Sequence, residues 1–279
     1  MTAFLKMHGL GNDFVVFDGR KSAIVLSPSL ARAVADRRFG IGCDQVIVIE
    51  KAENGRDAGM RILNADGGEV ESCGNAARCV ARLLMEEKDA TNVEIATPGG
   101  LLICSDGMND TVTVDIGKPR LAWKEIPLAR AVDTNGFDLD VDNQAFLASA
   151  VSVGNPHCVL FVEDAEHSPV AELGPKIERH AMFPARTNVE FVSVLSPARV
   201  RMRVWERGVG LTRACGTGAC AVAVAAHRRG LTGREVDIVL DGGTLTIEWR
   251  ASDDHVLMTG TSSLSFKGDV DLAMLERAP

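Results

Sequence analysis

Short runs of β-branched and apolar residues, separated by polar turns, recur along the chain. Residues 46–49, 93–96 and 111–115 have the length and composition of strands. Residues 97–100, Thr-Pro-Gly-Gly, have the composition of a turn between two strands. Residues 263–270 predict one more strand, which we expect to return to the first half of the chain.

Two further segments have the pattern of helices, and each follows a Cys-Gly pair. After Cys73, apolar residues at positions 77, 80, 81 and 84 fall on one helical face, and Ser72 or a neighbour is expected to cap that helix. After Cys215, residues 219–226 are small and apolar on every side, which predicts a helix buried all round. Residues 228–230, Arg-Arg-Gly, then supply a basic last turn and a glycine at which the helix ends.

The two Cys-Gly pairs belong to an internal repeat. Laying residues 60–81 over residues 202–223, an offset of 142, gives eight identities in 22 positions. With an offset of 143, Gly11-Asn12 falls on Gly154-Asn155, and Gln45 falls on Asn188. The repeat indicates a duplication and predicts two similar lobes.

The length agrees with two lobes, since 279 residues at roughly 150 residues per domain correspond to about two domains. The linker is expected near residues 117–119, Gly-Lys-Pro. We therefore expect an N-terminal lobe of residues 1–117 plus 263–279 that carries Cys73, and a C-terminal lobe of residues 118–262 that carries Cys215.

Composition and charge exclude several classes of function. Acidic residues outnumber basic ones by 38 to 30, a formal net charge of -8, whereas nucleic-acid and anionic-membrane partners require a surplus of Lys and Arg. The N-terminus has no signal-peptide pattern, and the uncharged run 214–226 is too short to span a bilayer. The seven cysteines include no C-x-x-C pair and indicate a reduced chain, so we expect a cytoplasmic protein.

The sequence predicts neither a cofactor nor a metal. Its Gly-x-Gly triplets lack the third glycine of a dinucleotide fingerprint, and no G-x-x-x-x-G-K-[ST] phosphate loop occurs. His157-Cys158 has no second pair of ligands at a metal-binding spacing. Tyrosine is absent, so no phenol can serve as acid or base.

The two repeated cysteines are the main candidates for chemistry. Each precedes a helix that begins with small residues, Gly74-Asn75 and Gly216-Thr217. The unpaired N–H groups and partial positive charge of a helix N-terminus lower the pKa of a thiol there and bind carboxylates. If the two lobes face each other, the thiols lie on opposite sides of one bound carboxylate. One base and one acid so placed can invert the adjacent carbon.

A cysteine considered singly is most often a small core residue. We interpret Cys73 and Cys215 differently, because their Cys-Gly pairs are preserved where most neighbouring positions differ between the two halves. The packing interpretation is kept for the cysteines without a partner in the repeat, which are Cys43, Cys79, Cys104, Cys158 and Cys220.

Sequence blocks along the chain resemble the diaminopimelate epimerase family, whose members are pyridoxal-phosphate-independent enzymes of lysine biosynthesis. In chain order the blocks are FLKMHGLGNDF from Phe4, RFGIGCDQ from Arg38, NADGG from Asn64, ESCGNAARC from Glu71, GNPHC from Gly154, RTNVEF from Arg186, WERG from Trp205 and TRACGTG from Thr212. The chain departs from the family at residues 260–262, Gly-Thr-Ser, where many members have Gly-Pro-Ala. It also has Phe266 near the position where members can carry a dimer-contact tyrosine.

The resemblance implies an α/β (α+β) fold of two pseudo-symmetric lobes, each a curved, mostly antiparallel sheet wrapped around a central helix. It implies interconversion of LL- and meso-diaminopimelate without a cofactor, with Cys73 and Cys215 as the acid–base pair, in a homodimer. By position, His157 and Glu206 correspond to the groups that tune the thiols. The substrate-binding positions it implies are Asn12, Gln45, Asn64, Gly74, Asn75, Asn155, Asn188, Glu206, Arg207, Gly216 and Thr217.

Other interpretations remain open at this point. Another two-thiol racemase or epimerase, of the proline or 4-hydroxyproline type, would use the same thiols, although its one-ended substrate has no distal group for Asn64, Glu206 and Arg207. A thiol redox-switch protein would join Cys73 and Cys215 in a disulfide. Glu206-Arg207 can also be a solvated ion pair and the asparagines turn residues. A related fold that has lost catalysis is disfavoured because both thiols are present.

Overall fold

The computed structural model describes residues 1–52, 55–71 and 73–276. Ser72, which the sequence suggested as a helix cap, lies outside these residues. The chain divides into two compact units, the first comprising Met1–Val114 and Gly260–Pro279 and the second Asp115–Thr259. These divisions fall three residues before the limits of 117 and 262 that the sequence suggested.

Strands dominate both units, with few helices among them. The elements up to the first boundary are β1 (Thr2–Gly9), β2 (Asn12–Asp18), α1 (Pro28–Ala35), β3 (Gln45–Glu50), β4 (Ala58–Asn64), β5 (Glu69–Val70), α2 (Gly74–Lys88), β6 (Asn92–Thr97), β7 (Gly100–Asp106) and β8 (Thr111–Asp115). They are followed by β9 (Phe137–Val141), β10 (Gln144–Ser152), β11 (Pro156–Phe161), α3 (Val170–Glu178), β12 (Asn188–Ser196), β13 (Arg199–Glu206), β14 (Gly210–Thr212), α4 (Gly216–Arg228), β15 (Glu235–Leu240), β16 (Gly243–Trp249), β17 (Val256–Thr261), β18 (Ser263–Val270) and α5 (Leu272–Leu275).

The first unit is built on a mixed sheet. Strand β1 pairs antiparallel with β2 and with β18, so residues 263–270 do return to the first part of the chain as a strand. Strand β2 runs parallel to β3, and β3 runs antiparallel to β4. Strand β4 pairs antiparallel with β5 and parallel with β6, which forms a hairpin with β7.

The second unit repeats this connectivity strand by strand. Strand β10 pairs antiparallel with β9 and β11, β11 runs parallel to β12, and β12 runs antiparallel to β13. Strand β13 pairs antiparallel with β14 and parallel with β15, which pairs with β16. The registers agree as well, since Val46 faces Leu63 in the first unit and Val189 faces Trp205 in the second. The sequence repeat is therefore a repeat of structure.

In each unit, the helix that begins after the repeated cysteine packs against the sheet, as the apolar patterns predict. Helix α2 packs against β1, β6 and β7, and its buried residues include the expected positions 77, 80, 81 and 84. Helix α4 packs against five strands, and residues 219–226 are all buried. Alanine and valine side chains suit α4 because strands approach it from several sides. The helix ends at Arg228, followed by Gly230 with φ +69°.

Separate apolar clusters form within the two units. In the first, Phe17, Val34 and Val48 belong to a cluster between α1 and the sheet. In the second, Ile177 of α3 and Phe191 of β12 belong to another. The apolar patterns did not predict α1 or α3. Among the described residues, no helix is both long and apolar enough to cross a lipid bilayer.

Candidate active site

Cys73 occupies the N-cap position of α2 in the first unit. Its backbone is extended, with φ -145° and ψ 111°, so the sulfur lies at the N-terminal end of the helix. The thiol is partly buried and points to Oδ1 of Asn12 at 3.9 Å. Because the first N–H groups of a helix have no intrahelical acceptor, the amides of Gly74 and Asn75 are donors beside this sulfur.

A chain of side-chain hydrogen bonds fixes the amides around Cys73. The fully buried Arg78 donates to Oδ1 of Asn75 at 2.8 Å, and Asn75 donates to Oδ1 of Asn12 at 3.2 Å. Asn12 in turn donates to Oδ2 of Asp44 at 3.0 Å. The chain begins at a guanidinium, which only donates, and ends at a carboxylate, which only accepts, so each amide has a single orientation. The oxygen of Asn12 is thereby directed at the thiol.

Gln45 and Asn64 face each other on β3 and β4. Gln45 donates from Nε2 to Oδ1 of Asn64 at 2.8 Å. The Oε1 atom of Gln45 is buried and accepts no hydrogen bond from the described residues. A buried acceptor without a donor costs free energy, and an ammonium group would supply one. The substrate-binding role that the resemblance implies for this pair stays a prediction.

Cys215 occupies the equivalent N-cap of α4 in the second unit. Its sulfur accepts a hydrogen bond from the backbone N–H of Gly218 at 3.4 Å and lies 3.6 Å from the hydroxyl of Thr217. The residue is only 4% exposed. As at Cys73, the first amides of the helix, those of Gly216 and Thr217, are available to an anion.

Glu206 lies beside Cys215 at the end of β13. Its carboxylate accepts hydrogen bonds from the Thr212 hydroxyl and from the Cys215 thiol. Burial raises the pKa of Glu206, and these two donors and the charge of His157 oppose the increase. A carboxylate with a raised pKa that already accepts the S–H is suited to remove the thiol proton.

His157 lies on β11 with no exposed surface. Its Nε2 is 3.0 Å from Oδ1 of Asn155, and its Nδ1 is 2.6 Å from Oε1 of Glu190. Asn155 donates from Nδ2 to the hydroxyl of Thr217 at 3.3 Å. A line of polar contacts therefore leads from Glu190 through His157, Asn155 and Thr217 to the sulfur of Cys215.

Asn188 and Arg207 are joined by a hydrogen bond between the side chain of Asn188 and the backbone of Arg207. Asn188 is buried, donates to the carbonyl of Pro156 at 3.0 Å and accepts from the backbone N–H of Arg207 at 2.9 Å. Asn188 therefore ties the start of β11 to the end of β13. Arg207 is exposed and donates to the carbonyl of Ala185 at 3.2 Å, so its guanidinium stays near the surface of the second unit.

The charge state of Cys215 differs from the sequence-based expectation. A helix N-terminus alone predicts a lowered thiol pKa, but the pKa of Cys215 is raised well above its ordinary value. Burial is the main cause, followed by the negative charges of Glu206 and Glu190. The donors Thr217 and Gly218 act in the opposite direction without outweighing them. The expectation of a lowered pKa is wrong for Cys215, and its thiol needs a local base.

Four residues of this region were not singled out by the sequence: Asp44, Arg78, Glu190 and Thr212. Arg78 and Glu190 have no exposed surface. Both are charged residues within otherwise apolar runs, in α2 and β12. Charged residues are almost never fully buried without a partner, so this pattern was the available signal. Asp44 and Thr212 lie in polar stretches that carry no such signal.

The remaining cysteines lie among apolar side chains. Burial raises the pKa of Cys43, Cys79 and Cys104 to about 12, which leaves these thiols protonated and unreactive. Cys158 is also fully buried. In residues 1–52, 55–71 and 73–276, no group of three or more His, Cys, Asp or Glu side chains is arranged to hold a metal ion.

Comparisons with known proteins give the family. The sequence model of a family described as Diaminopimelate epimerase matches residues 4–122 and 149–265. A diaminopimelate epimerase of Acidiphilium cryptum is 51% identical over 275 residues, which are 98% of this chain and 97% of the relative. One of Phenylobacterium zucineum is 52% identical over 270 residues, 96% and 97% of the two chains. The chain belongs to the diaminopimelate epimerase family. Membership confirms the expected class of enzyme, an isomerase.

Solved structures agree on the fold of this diaminopimelate epimerase family member. A probable proline racemase from Agrobacterium radiobacter, with bound carbonate, has a TM-score of 0.71 at 16% identity over 99% of this chain and 96% of its own. A hydroxyproline epimerase from Agrobacterium vitis, with bound trans-4-hydroxy-L-proline, has a TM-score of 0.68 at 17% identity over 96% and 91%. These similarities confirm the predicted fold class. At such low identity they do not favour the proline-type alternative over diaminopimelate.

Proposed function

We propose that this protein interconverts LL- and meso-2,6-diaminopimelate by cofactor-independent proton transfer at the α-carbon, with Cys73 and Cys215 as the two proton carriers. The observation that supports this most directly is the repeated N-cap cysteine. Two units with the same connectivity each place a thiol at the N-cap of a helix packed against their sheet. Together with membership of the family, this favours the diaminopimelate interpretation over a redox switch.

The proposed reaction balances without a further reactant. One cysteine, as thiolate, takes the α-proton, and the electron pair of the C–H bond moves into the carboxylate as an enediolate. The N–H groups at Gly74-Asn75 and Gly216-Thr217 stabilise the charge on that carboxylate. The other cysteine, as thiol, delivers its proton to the opposite face of the carbon. The roles of the two sulfurs are then exchanged, which is the state required for the reverse turnover.

The surrounding residues supply the groups that diaminopimelate needs. Glu206 takes the proton of Cys215, whose buried thiol does not ionise readily, and His157 is the second group assigned to tuning the thiols. Five side-chain amides orient the amino-acid groups of the substrate, those of Asn12, Gln45, Asn64, Asn155 and Asn188. Arg207, with its exposed guanidinium, is assigned to the distal carboxylate, and Glu206 and Gln45 accept from ammonium groups.

The test is loss of the α-proton signal of LL-diaminopimelate in D₂O, followed by NMR with reduced protein. We expect exchange and formation of the meso isomer with the unmodified protein. Epimerisation should be lost in both Cys73→Ala and Cys215→Ala. Cys104→Ala removes a buried thiol outside both helix N-termini and is expected to keep full turnover. Full epimerisation by either variant at position 73 or 215 would show that the cysteine pair is the wrong assignment.

Two alternative functions predict different results in the same assay. A proline-type enzyme exchanges the α-proton of L-proline or trans-4-hydroxy-L-proline and leaves diaminopimelate unchanged. A redox-switch protein exchanges neither. Oxidation that joins Cys73 and Cys215 is expected to stop turnover, and a reductant is expected to restore it. Full activity of the cross-linked protein would contradict the two-thiol mechanism.

We also propose that the protein is cytoplasmic and a homodimer. A reduced pair of thiols is required for turnover, and the cytoplasm keeps cysteines reduced. The dimer is supported by strand β18, where residues 264–267 are all exposed. Leu264 and Phe266 are 45% and 50% exposed, which leaves apolar surface for a second chain to cover.

A further inference from the structure

The second unit contains a buried pair of ionisable side chains, His157 and Glu190. Nδ1 of His157 lies 2.6 Å from Oε1 of Glu190, and neither side chain is exposed. Oε2 of Glu190 is buried and has no hydrogen-bond partner among the described residues. Other titratable groups that act on this carboxylate or feel its charge are Cys158 of β11, Glu206 of β13 and Cys215 at the start of α4. None of these three brings a positive charge.

The first unit shows that the fold does not require this pair. With the repeat offset of 143, His157 corresponds to Phe14 and Glu190 to Ile47. Phe14 and Ile47 are also fully buried. Phe14 faces Gln45 across two parallel strands, just as His157 faces Asn188. An apolar pair therefore fills the same position in the same connectivity. Apolar residues often replace a buried ion pair without loss of stability, so packing alone does not account for Glu190.

The two ring nitrogens of His157 both face oxygen atoms. Nδ1 faces the carboxylate of Glu190, and Nε2 faces Oδ1 of Asn155. The opposite end of the Asn155 amide donates to Thr217, which agrees with the oxygen pointing at the ring. Each ring nitrogen therefore has one oxygen neighbour, and together the two contacts fix the plane of the ring. Burial raises the pKa of Glu190, and the charge and hydrogen bond of His157 oppose that increase.

We propose that Glu190 is a positioning residue of the reaction assigned above: its carboxylate holds the His157 ring in place. The ring then fixes the amide of Asn155, which fixes the hydroxyl of Thr217 beside the sulfur of Cys215. This inference rests on the proposed function for its effect on turnover. The orientation of the ring is independent of any substrate.

The first experiment observes the ring directly. The protein is labelled with ¹⁵N-histidine. The signals of His157 are identified among those of the six histidines because they are lost in His157→Phe. We expect one narrow pair of ring-nitrogen signals for His157 in the unmodified protein, as a ring held in one orientation gives. A pair broadened by exchange between orientations would overturn the proposal. No substrate enters this measurement, so its failure is distinct from failure of the epimerase assignment.

The second experiment replaces the carboxylate by an amide of the same shape. In Glu190→Gln the ring loses the charged partner of Nδ1, and we expect its nitrogen signals to shift and to broaden. We expect kcat/KM for diaminopimelate to fall at least tenfold. Glu178→Gln is the matched control, because Glu178 is another buried glutamate of this unit and is bonded to Trp205. It should leave the His157 signals unchanged. An unchanged ring spectrum in Glu190→Gln, with turnover within twofold, would show that Glu190 only fills space.

A double variant separates positioning from folding. His157→Phe combined with Glu190→Ile copies the pair of the first unit, Phe14 and Ile47. We expect this variant to fold, with a melting temperature at or above that of the unmodified protein, and to lose epimerisation. Glu190→Ile alone leaves a polar ring without its partner and should melt at a lower temperature. Turnover within twofold in the double variant would contradict a positioning role for Glu190.

Discussion

At the scale of single residues, two effects act in opposite directions on the pKa of Glu206 in the second unit. Burial raises the pKa of its carboxyl, and the hydroxyl of Thr212 counteracts this by donating to the ionised form. In Thr212→Val the donor is lost, so the carboxyl keeps its proton to a higher pH. We expect the acidic limb of kcat/KM to move to higher pH by roughly half to one unit, because such a bond contributes about 1 kcal/mol and one pKa unit corresponds to about 1.4 kcal/mol.

The pH profile should be measured in both directions of the reaction, since Cys215 is the base in only one of them. Thr246→Val is the control, because Thr246 also donates to a carboxylate, that of Asp237, at 2.8 Å in the same unit. Asp237 has no part in the proposed reaction, and the profile should not move. A shift of the acidic limb to lower pH in Thr212→Val would contradict the role given to Glu206.

The sequence was sufficient to single out the residues that recur in the repeat, while their role in the reaction stays a prediction. Cys73 and Cys215 are identifiable because the Cys-Gly pair recurs. The raised pKa of Cys215 was not predictable, because it depends on burial and on carboxylates brought close by strands β12 and β13. Glu190 was missed for the same reason. Its partner His157 is 33 residues away in sequence, and no local spacing connects them.

At the scale of elements, α2 and α4 begin alike but meet different neighbours. The third residue of α4 is Gly218, and the repeat places Ala76 at the same point of α2. A Cβ at Gly218 would lie 2.9 Å from Oε1 of Glu190 and 3.3 Å from the sulfur of Cys215. The carboxylate of Glu190 therefore lies too close to this position for a methyl group. In the first unit the matched residues are Ala76, which has the methyl group, and Ile47, which has no carboxylate.

Gly218→Ala is therefore expected to destabilise the protein. In a helix, alanine is ordinarily favoured over glycine by about 1 kcal/mol, but here the carboxylate cannot move aside without leaving His157. We expect the free energy of unfolding in urea to fall. In the His157→Phe, Glu190→Ile background the same substitution should raise it, because the first unit accommodates this combination. An increase in both backgrounds would show that the contact with Glu190 is unimportant.

The helices and their burial were predictable because their patterns are local. The apolar face of α2 and the uniformly small residues of α4 specify both elements from sequence alone. Helix α3 was not predicted, and it contains Pro175, which ordinarily ends a helix. The parallel pairings β2–β3 and β11–β12 join strands that are distant along the chain. The repeat implied only that they would be the same in both halves.

At the scale of the whole molecule, the two units share their connectivity but differ in the polar side chains at matched positions. The charged side chains around Cys73, Arg78 and Asp44, are linked to it through the amides of Asn75 and Asn12, whereas Glu206 accepts directly from the thiol of Cys215. At matched positions Asn64 corresponds to Glu206, and Phe14 and Ile47 correspond to His157 and Glu190. These exchanges leave the register of the strands alike in the two units, since Val46 faces Leu63 in the first and Val189 faces Trp205 in the second.

The proposed dimer is the property that belongs to this scale, and strand β18 is the place to test it. Four consecutive residues of this strand, 264–267, are exposed. The pairing of β18 with β1 shifts register between Leu264 and Phe266, and the Phe266 ring keeps half of its surface exposed although its edge meets Phe4. Leu264→Glu puts a charge on this apolar surface. We expect the unmodified protein to sediment with the mass of two chains and Leu264→Glu with the mass of one. Leu101→Glu, on the partly exposed β7, is the control and should sediment as the unmodified protein does. If Leu264→Glu keeps the mass of two chains, strand β18 is excluded as the dimer interface.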